Sequence, residues 1–379
     1  MKIIYCANVR IPTEKAHGLQ IMKTTEAFCT AGAATELVVP RRANPCQTGV
    51  DPFAFYRVAQ KFPLITLYSP DPAWLMSGPA GLYIKAQSFF FIIWLFFYLL
   101  FKKNKANYIF YTREEYLLPV LLLFSRQVVW EAHSLPHRVC WYKKFWSSCL
   151  KIVVISQGLK DALISLGLKP GKIIVAPDGV DLDDFHPAMS PAAARAQFGL
   201  PQDKKIILYS GQLYVWKGAE TLAQAAHLLL ADCLIVFVGG VGEELQKLKR
   251  QFGAANNILI LGQKPYTNIP YYLRSADVLV LPNSGVSERS RLWTSPLKLF
   301  EYLASGTPIV ASDLPSVREV LNDQNSFFFT PDNPESLAKA INSVFGDPSR
   351  ARAKTVQALM DSRAYSWSKR AELIINNLK

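Results

Sequence analysis

The sequence predicts two α/β domains, each built on a doubly wound parallel sheet, facing each other across a cleft. Three observations lead to this fold class. The chain has 379 residues, of which 50% are hydrophobic and 19% charged, so it is long enough to bury two cores. Short apolar, β-branched runs alternate with longer helical stretches along the whole chain. A stretch rich in Pro, Gly and Asp divides these runs into two sets.

Twelve apolar runs are predicted to form strands. In the first half they are Ile3–Cys6, Glu36–Val39, Tyr108–Tyr111, Val128–Glu131, Ile152–Ile155 and Ile173–Val175. In the second half they are Ile206–Tyr209, Leu234–Val238, Ile258–Leu261, Val278–Leu281, Ile309–Ala311 and Phe327–Phe329. Continuous apolar strands separated by helices are typical of parallel sheets that are covered on both faces.

The boundary between the two domains is predicted from turn chemistry. The Ala-Pro-Asp-Gly stretch after Val175 and the prolines of Pro187–Pro191 place a hinge there, with domains over 1–188 and 189–362. The triplet Asp181-Leu-Asp183 resembles a metal-binding DxD, but its place among these turn residues favours a turn and hinge. Ligands of such folds bind at the carboxyl ends of the strands, which places the site in the predicted cleft.

Cysteine usage and the N-terminal segment predict a cytoplasmic protein. Six cysteines are scattered along the chain without a Cys-x-x-Cys pair, at positions 6, 29, 46, 140, 149 and 233. This pattern favours a reduced compartment over a disulfide or zinc framework. The first residues, Met1-Lys-Ile-Ile-Tyr-Cys-Ala, are typical of a strand and lack the features of a signal peptide.

A basic and aromatic segment in the first half leaves two interpretations open. The formal net charge is +13, which would attract nucleic acid, anionic lipid or phosphorylated substrates alike. Phe89–Phe101 is an unbroken apolar run followed by Lys102, Lys103 and Lys105. It falls short of the roughly 18 residues that a spanning helix needs. It is either a buried helix or a helix that dips into a membrane with its lysines at the headgroups, and both can hold for different faces.

The segment Thr294–Glu301 predicts a phosphate-binding helix start. Thr294 or Ser295 suits the N-cap, Pro296 the first helical position, and Gly306 the end of the helix. Free N–H groups and the helix dipole attract phosphate at such a start. Lys298 opposes that dipole unless an anion is bound. Glu301 could accept hydrogen bonds from two ribose hydroxyls. The alternative is an ordinary amphipathic helix with a surface Lys–Glu pair.

A glycine turn after the first strand of the second half is a second candidate. Gly211 permits close backbone approach, and Lys217 opens the next helix, which suits a pyrophosphate between strand and helix. An ordinary strand-to-helix turn is the alternative. The later Val238-Gly-Gly-Val-Gly segment is not a dinucleotide fingerprint, because Leu245 stands at the place of its third glycine.

Polar residues of the first half collect in loops after predicted strands. Glu14 and His17 follow the first strand, Arg113 ends another, and His133 follows Val128–Glu131. Loops at the carboxyl ends of strands line substrate sites in such folds. These four residues are therefore candidates for an acceptor-side site, although each alone is more often a structural polar residue.

Several motifs together resemble glycosyltransferase family 4, a family of retaining enzymes with the GT-B fold of two Rossmann-like domains. In the second half they are "GQLYVWKG", "YYLRSADVLVLP", "TSPLKLFEYLASGTPIVASDLPSVREVL" and "YSWSKRAELI". In the first half they are "RIPTEKAHGLQIMK", "YTRE", "EAHSLP" and "PDGVDLDDF". The resemblance implies that the second domain binds the nucleotide sugar and that a final helix, over 363–379, crosses back to the first domain.

The resemblance also implies roles for individual residues. Glu301 matches the second glutamate of the E-x7-E motif, a ribose ligand, and Lys217 matches the phosphate lysine. Ser295, Pro296 and Leu297 match the loop whose amides hold the distal phosphate. His133 matches a histidine near the transferred sugar, and Gly18 a glycine beside the phosphates. The expected catalytic residues are His133, Lys217 and Glu301, and the expected donor-binding residues are Gly18, Gly211, Gln212, Lys217, Thr294, Ser295, Pro296, Leu297, Lys298 and Glu301.

Two positions depart from the family pattern. Trp293 stands where the first glutamate of E-x7-E is expected, and Glu288 or Arg291 could substitute for it. Gln212 stands where the phosphate lysine usually has an arginine partner, and Lys298 could compensate.

The expected function is therefore retaining transfer of a hexose-like sugar from a UDP-, GDP- or ADP-sugar to a glycan or lipid-linked acceptor, in polysaccharide or glycolipid assembly. Neither a metal nor another cofactor is expected, and nucleic acid is not an expected partner. The basic aromatic segment adds an expected peripheral contact with an anionic membrane on the cytosolic side. The alternative is a catalytically impaired relative that binds a nucleotide or glycan within an assembly complex, which Trp293 and Gln212 favour.

Overall fold

A computed structural model describes residues 1–42, 49–72, 74–75, 81–136, 139–185 and 188–379. Cys46 of the cysteine prediction and Pro187 of the hinge prediction lie outside these residues. The chain divides into two compact units. The first unit comprises Met1–Ile155, Leu159–Pro177 and Trp367–Lys379, and the second comprises Ser156–Gly158 and Asp178–Ser366.

Each unit is built on a parallel sheet. In the first unit seven strands lie in the order β3-β2-β1-β4-β5-β6-β7, with β1 at Lys2–Cys6, β2 at Ala34–Pro40, β3 at Leu64–Leu67, β4 at Tyr108–Thr112, β5 at Val128–Ala132, β6 at Lys151–Val154 and β7 at Ile173–Val175. In the second unit six strands lie in the order β10-β9-β8-β11-β12-β13, with β8 at Lys205–Ser210, β9 at Cys233–Val238, β10 at Ile258–Gly262, β11 at Val278–Leu281, β12 at Ile309–Ser312 and β13 at Phe327–Phe329.

Helices connect and cover these strands. In the first half of the chain they are α1 (Ala16–Thr30), α2 (Pro52–Phe55), α3 (Leu82–Phe101), α4 (Leu118–Phe124), α5 (Val139–Ser148), α6 (Gln157–Ser165) and α7 (Leu182–Phe185). In the second half they are α8 (Pro191–Phe198), α9 (Ala219–Gln224), α10 (Gly242–Phe252), α11 (Ile269–Ser275), α12 (Leu297–Ala304), α13 (Pro315–Arg318), α14 (Pro334–Gly346), α15 (Pro348–Ser362) and α16 (Trp367–Asn376).

All twelve predicted strands are present, and β3 was missed. Leu64–Leu67 is a short edge strand between two prolines, and no more than part of each side chain is buried. Such a strand has too few apolar residues to stand out in a pattern. In the second unit β8 shows why the sheet is doubly covered. Ile206 and Leu208 belong to one core cluster, and Ile207 and Tyr209 belong to the other.

The contacts place the first boundary between Pro177 and Asp178, earlier than the predicted 188. The reason lies in the segment that follows. Val180 pairs with Ser366 in a parallel bridge, and its N–H donates to the Tyr365 carbonyl at 2.9 Å. Val180 and Phe185 are both buried in a core cluster of the second unit. The apolar side chains of this turn-rich stretch therefore fold with the second unit.

The last helix groups with the first unit, from Trp367 rather than from the predicted 363. Ser366 stays with the second unit because it pairs with Val180. Helix α16 then packs on α1, with Trp367, Ala371, Ile374 and Ile375 buried.

The apolar run Phe89–Phe101 lies within α3, a helix of 20 residues. Within the described residues α3 is the one helix long and apolar enough to cross a membrane, with a hydropathy of 1.8. Its buried residues form a single stripe, Gln87, Phe91, Leu95 and Leu99. Only 28% of the apolar stretch of this helix is buried. The buried-helix interpretation therefore holds for one face of α3.

Candidate functional site

The start of α12 differs in detail from the prediction. The helix begins at Leu297, with Pro296 at the N-cap in an extended conformation and no side-chain cap. Thr294 is not the N-cap and Pro296 is not the first helical residue, because a π-helix, Arg289–Trp293, ends just before them. The Ser295 hydroxyl is engaged elsewhere, since it accepts from the Asp178 N–H at 3.2 Å. The first turn of α12 thus presents N–H groups without a side-chain cap, as an anion site requires.

Lys298 is the central cation of this site. Its side chain is only 5% exposed, and among the described residues its ammonium has no hydrogen-bond partner. The ammonium lies 3.7 Å from the centroid of the Tyr209 ring. Burial and the nearby Lys217 ammonium hold the pKa of Lys298 well below its usual range, and Glu301 opposes this shift. A buried cation without an anion is unfavourable, so the arrangement indicates an anionic ligand.

The fold explains why Lys298 reaches the end of β8. Tyr302 lies one turn further along α12, on the same face. Its hydroxyl accepts from the Ser210 N–H at 2.9 Å and so joins α12 to the last residue of β8. The next residue, Gly211, has φ 128°, and a β-carbon there would lie 3.8 Å from the Lys298 Nζ. Glycine at this position keeps the space beside the ammonium open.

Lys217 ends a short 3-10 turn, Val215–Lys217, that follows the Gly211 loop. Gly218 comes next with φ 70°, and a β-carbon there would lie 1.7 Å from the Pro282 carbonyl oxygen. Only glycine therefore allows the close approach of this turn to the end of β11. Burial lowers the pKa of Lys217 to about 8. The positive charge of Arg289 adds to this shift, and the negative charge of Glu301 opposes it.

Glu301 lies on the first turns of α12 and is 7% exposed. The Tyr266 hydroxyl donates to its Oε1 at 3.1 Å. Burial raises the pKa of Glu301 to about 7, although Tyr266 and the two lysines oppose the shift. Tyr266 lies 35 positions from Glu301 on a different loop, and no sequence pattern links the two residues.

Arg289 is a second residue that no sequence motif names. Its guanidinium lies 5.8 Å from the centroid of the Trp216 ring, and the Lys217 ammonium lies 5.2 Å from the same ring. Arg289 is exposed, and its positive charge helps to lower the pKa of Lys217. Glu288 and Arg291, the suggested substitutes for the missing glutamate, are both exposed.

The first unit carries a separate cavity of about 260 Å³. Of the four predicted acceptor-side residues, the structure gathers His17, Arg113 and His133 around it. Glu14 is exposed and does not belong to its lining. The full lining is Asn8, His17, Ile21, Arg113, Glu114, Glu115, His133 and Ser134. Burial raises the pKa of Glu114 to about 7, so this carboxyl adds a titrating group to the cavity.

Glu131, a fully buried carboxylate, holds His133. Its Oε1 lies 2.6 Å from the His133 Nε2 and accepts from Gln20 at 2.5 Å and from Arg370 at 2.8 Å. The Tyr111 hydroxyl donates to the other oxygen. Arg370 and the other donors keep the pKa of Glu131 well below its usual range despite burial. With its lone pairs used in this way, Glu131 suits the positioning of an imidazole better than metal binding.

Gly18 has a packing reason to be glycine. A β-carbon there would lie 2.3 Å from the Tyr56 hydroxyl and 2.5 Å from the Thr13 Cγ2. The Tyr56 hydroxyl also binds the backbone of Thr13, accepting from its N–H at 2.6 Å and donating to its carbonyl at 2.8 Å. Gly18 therefore lets α1 pack against this anchored loop.

Fold and site together define a class: a two-domain α/β protein whose second unit presents an uncapped, cationic helix start. Comparison with known proteins narrows the class. Residues 192–359 match the family described as glycosyl transferases group 1. The matched residues cover most of the second unit, and they support the coarser part of the predicted resemblance, that to glycosyltransferases.

Among curated proteins the chain is similar to the D-inositol 3-phosphate glycosyltransferase of Xylanimonas cellulosilytica. The identity is 28% over 229 residues, which cover 57% of this chain and 53% of that protein. The chain thus spans about half the length of this relative.

Solved structures resemble the chain over its whole length. Sucrose-phosphate synthase from Thermosynechococcus elongatus has a TM-score of 0.76 at 20% identity, with 99% of this chain and 98% of that chain covered. HepE from Anabaena, in complex with UDP-glucose, has a TM-score of 0.76 at 17% identity, with 100% and 99% covered. At such identities the likeness concerns the fold, and it confirms the predicted GT-B class with two Rossmann-like, parallel-sheet domains.

Proposed function

We propose that this protein is a retaining glycosyltransferase that moves a sugar from a nucleotide-sugar donor to a glycan or lipid-linked acceptor. The observation that carries the proposal is the buried, unpartnered Lys298 ammonium at the start of α12. The group 1 match of residues 192–359 and the UDP-glucose bound by HepE support it. Polysaccharide or glycolipid assembly on the cytosolic side is the setting we assign to it.

The donor diphosphate occupies the space between the Gly211 loop and the start of α12. Lys298, Lys217 and the uncapped amides of α12 bind its oxygens, and Arg289 adds a further positive charge. The ribose hydroxyls donate to Glu301, which Tyr266 holds in place. The donor nucleoside is uridine, guanosine or adenosine, and the binding experiment below distinguishes among the three.

During transfer the bond from the anomeric carbon to the diphosphate oxygen breaks, and a bond to the acceptor hydroxyl oxygen forms on the same face of the sugar. His133 accepts the proton of the acceptor hydroxyl, and negative charge develops on the diphosphate. Lys217, Lys298 and the helix amides stabilise that charge. In this proposal they take the place of a metal ion. The cavity of the first unit, with His17, Arg113 and His133, binds the acceptor side.

Ligand binding is the first test. A nucleoside diphosphate at 100 times its Kd stabilises the folded protein by about 2.7 kcal/mol. A thermal-shift panel of UDP, GDP and ADP should therefore give a clear shift with one of them. Transfer is then measured with the corresponding radiolabelled sugar donor and a membrane extract, and NMR of the product gives the anomeric configuration. A folded protein that shifts with none of the three contradicts the proposal.

His133 should matter for transfer and not for nucleotide binding. His133→Ala is expected to lower the transfer rate by roughly 100-fold or more, the usual range for loss of a positioned proton-transfer group. The thermal shift with the nucleoside diphosphate should stay as in the unchanged protein. His227→Ala, at a histidine of the second unit, is the control and should affect neither. Equal activity of the two variants would remove His133 from the proposed mechanism.

The alternative is a relative that binds a nucleotide or glycan without turnover. Trp293 favours it, because a sugar-binding glutamate is expected at that position. This alternative predicts a thermal shift without transfer or donor hydrolysis, and no effect of Glu301→Ala on glycan assembly in cells. Turnover that is lost in Glu301→Ala would exclude it.

A further inference from the structure

Helix α3 has two different faces. Phe91, Leu95 and Leu99 recur every fourth residue and are completely buried, so this stripe packs into the first unit. The side chains that point away are also apolar, and five of them are well exposed: Phe89 59%, Trp94 38%, Phe97 45%, Leu100 45% and Phe101 78%. A surface helix of a globular protein normally turns polar residues to solvent. The exposed face of α3 therefore needs a covering partner.

Neighbouring elements extend this apolar face. Tyr68, 63% exposed, packs edge-on against Trp94 with ring centroids 5.4 Å apart. On α4, which packs beside α3, Leu123 is 73% exposed. Phe124 of α4 contacts Phe96 at 5.4 Å. We call these exposed side chains of α3, with Tyr68 and Leu123, the α3 surface.

Positive charge borders the α3 surface. From Gly81 to Lys105 the sequence contains no acidic residue. Lys85 and Lys103, near the two ends of α3, are exposed and form no ion pair within the described residues, and the same holds for Arg126 after α4. Lys102 differs, because its ammonium contacts the Glu36 carboxylate at 2.6 Å.

We propose that the α3 surface binds an anionic lipid bilayer, with α3 lying in the plane of the headgroup region. Aromatic side chains suit that region, and lysines beside them pair with lipid phosphates. A spanning orientation does not fit, because the Phe91, Leu95 and Leu99 stripe is already buried in the first unit. A second copy of the chain fits less well, since pairing two α3 surfaces would bring their lysines together.

This inference goes beyond the proposed function and does not depend on it. If the acceptor is lipid-linked, the α3 surface explains how the protein reaches it. Vesicle binding involves neither donor nor transfer, so its failure and a failure of the proposed activity are separate results.

The test is co-sedimentation of the full chain with vesicles of phosphatidylcholine alone or mixed with phosphatidylglycerol. Phe97→Glu with Phe101→Glu charges two exposed positions one turn apart on α3. Val356→Glu with Met360→Glu is the matched control, with the same spacing and similar exposure, 44% and 56%, on α15 of the second unit. Lys85→Glu with Lys103→Glu tests the charge. Circular dichroism and the melting temperature verify that each variant is folded.

We expect the unchanged chain and the Val356 and Met360 control to bind mixed vesicles at least tenfold more tightly than neutral ones. Both α3 variants should lose at least tenfold in binding, and alkaline carbonate should release the bound protein. Three results would overturn the proposal. They are no binding of the folded chain to mixed vesicles, equal binding by all variants, or a dimer that the Phe97 and Phe101 variant converts to monomer.

Discussion

At the scale of single residues, Lys298 and Lys354 show two ways to bury an ammonium. Lys354 is 6% exposed and donates to the carbonyl oxygens of Ser326, at 2.8 Å, and Asp323. Lys298 is as deeply buried but has no partner among the described residues. The first lysine thus stabilises the fold, whereas the proposed function pairs the second with the donor diphosphate beside Gly211.

Replacement of Lys298 should therefore separate stability from binding. Lys298→Met is expected to raise the free energy of unfolding by about 1–3 kcal/mol, because it removes a buried group without a partner. It should lower the affinity for UDP, or for whichever nucleoside diphosphate binds, by roughly 10- to 100-fold. This range corresponds to the loss of a hydrogen bond to a charged group, which contributes about 1.5–3 kcal/mol. Calorimetric titration and chemical denaturation measure the two effects.

Lys354→Met is the control, because it removes a buried ammonium that has partners. It should lower the free energy of unfolding by about 1–3 kcal/mol and leave nucleotide affinity unchanged. If Lys298→Met also destabilises the protein and leaves nucleotide binding unchanged, Lys298 has a structural role and the proposed location of the donor site is wrong.

The pH dependence of nucleotide binding follows from Lys217 and Glu301. A bound diphosphate raises the pKa of Lys217 above its free value of about 8, so the contribution of Lys217 to affinity is complete below that value and falls as pH rises above it. The pKa of Lys298 is also held well below its usual range, and the diphosphate raises it in the same way, so Lys298 adds to this alkaline limb. Ribose hydroxyls that donate to Glu301 lower its pKa from about 7, so affinity falls as pH decreases below that value. Affinity should therefore be highest between these two values.

Calorimetric titrations across that range, in two buffers of different ionisation enthalpy, give both affinity and proton exchange. Protons should be taken up on the alkaline side and released on the acid side. In Glu301→Gln the acid limb attributable to this carboxyl should disappear while the alkaline limb stays. An unchanged acid limb would show that the nucleotide phosphate itself, and not Glu301, titrates there.

At the scale of elements, the site depends on two glycine-containing turns that bring β8 and α12 together. Gly211 leaves space beside the Lys298 ammonium, and Gly218 allows the Lys217 turn to pass the Pro282 carbonyl. Tyr302 of α12 then joins the helix to Ser210. The positions of both lysines therefore follow from backbone geometry as much as from their own side chains.

Gly218→Ala should disturb this arrangement. A methyl group would lie 1.7 Å from the Pro282 oxygen at a φ of 70°, so the turn must move. The expected loss of stability is about 1–3 kcal/mol. Because Lys217 precedes this glycine, nucleoside diphosphate affinity should also fall by roughly tenfold.

Gly346→Ala at the end of α14 is the matched control, since a β-carbon there meets no atom within 4 Å. It should leave affinity unchanged and stabilise by about 0.4–1 kcal/mol if its backbone suits alanine. Equal effects of the two variants on affinity would mean that the Gly218 turn does not position Lys217.

At the scale of the whole molecule, α16 joins the two ends of the sequence within the first unit. Arg370 is 5% exposed and donates to Glu131 at 2.8 Å and to the Pro177 carbonyl at 2.9 Å. The last helix therefore neutralises a carboxylate that belongs to β5, and through Glu131 it supports His133.

Arg370→Met should destabilise the first unit strongly. Removal of one partner of a buried ion pair costs about 3–5 kcal/mol, because the other charge stays buried. Hydrogen exchange of the β5 amides measures the effect locally. Lys369→Met is the control one position away, since Lys369 forms an exposed pair with Glu372 and should behave almost as the unchanged protein. Similar exchange of β5 in both variants would contradict this account of α16.

Much of the fold followed from local pattern. The twelve predicted strands are apolar runs that must be buried on both faces, so composition and spacing were sufficient to find them. The edge strand β3 lacked that signal. The boundary between the two units lies at Pro177–Asp178, earlier than predicted, because Val180 and Phe185 are buried in the second unit. The turn residues around them do not indicate this packing.

The sequence by itself determined the two-sheet fold, the Lys217 turn and the Thr294–Glu301 segment, since each depends on residues close together in the chain. Only the tertiary structure decided that Lys298 is buried without a partner, that Tyr266 holds Glu301, that Arg289 stands near Lys217, and that Arg370 pairs with Glu131. These relations join residues many positions apart. Burial, and with it the pKa and the partners of a charged group, is a property of the packed chain and not of local sequence.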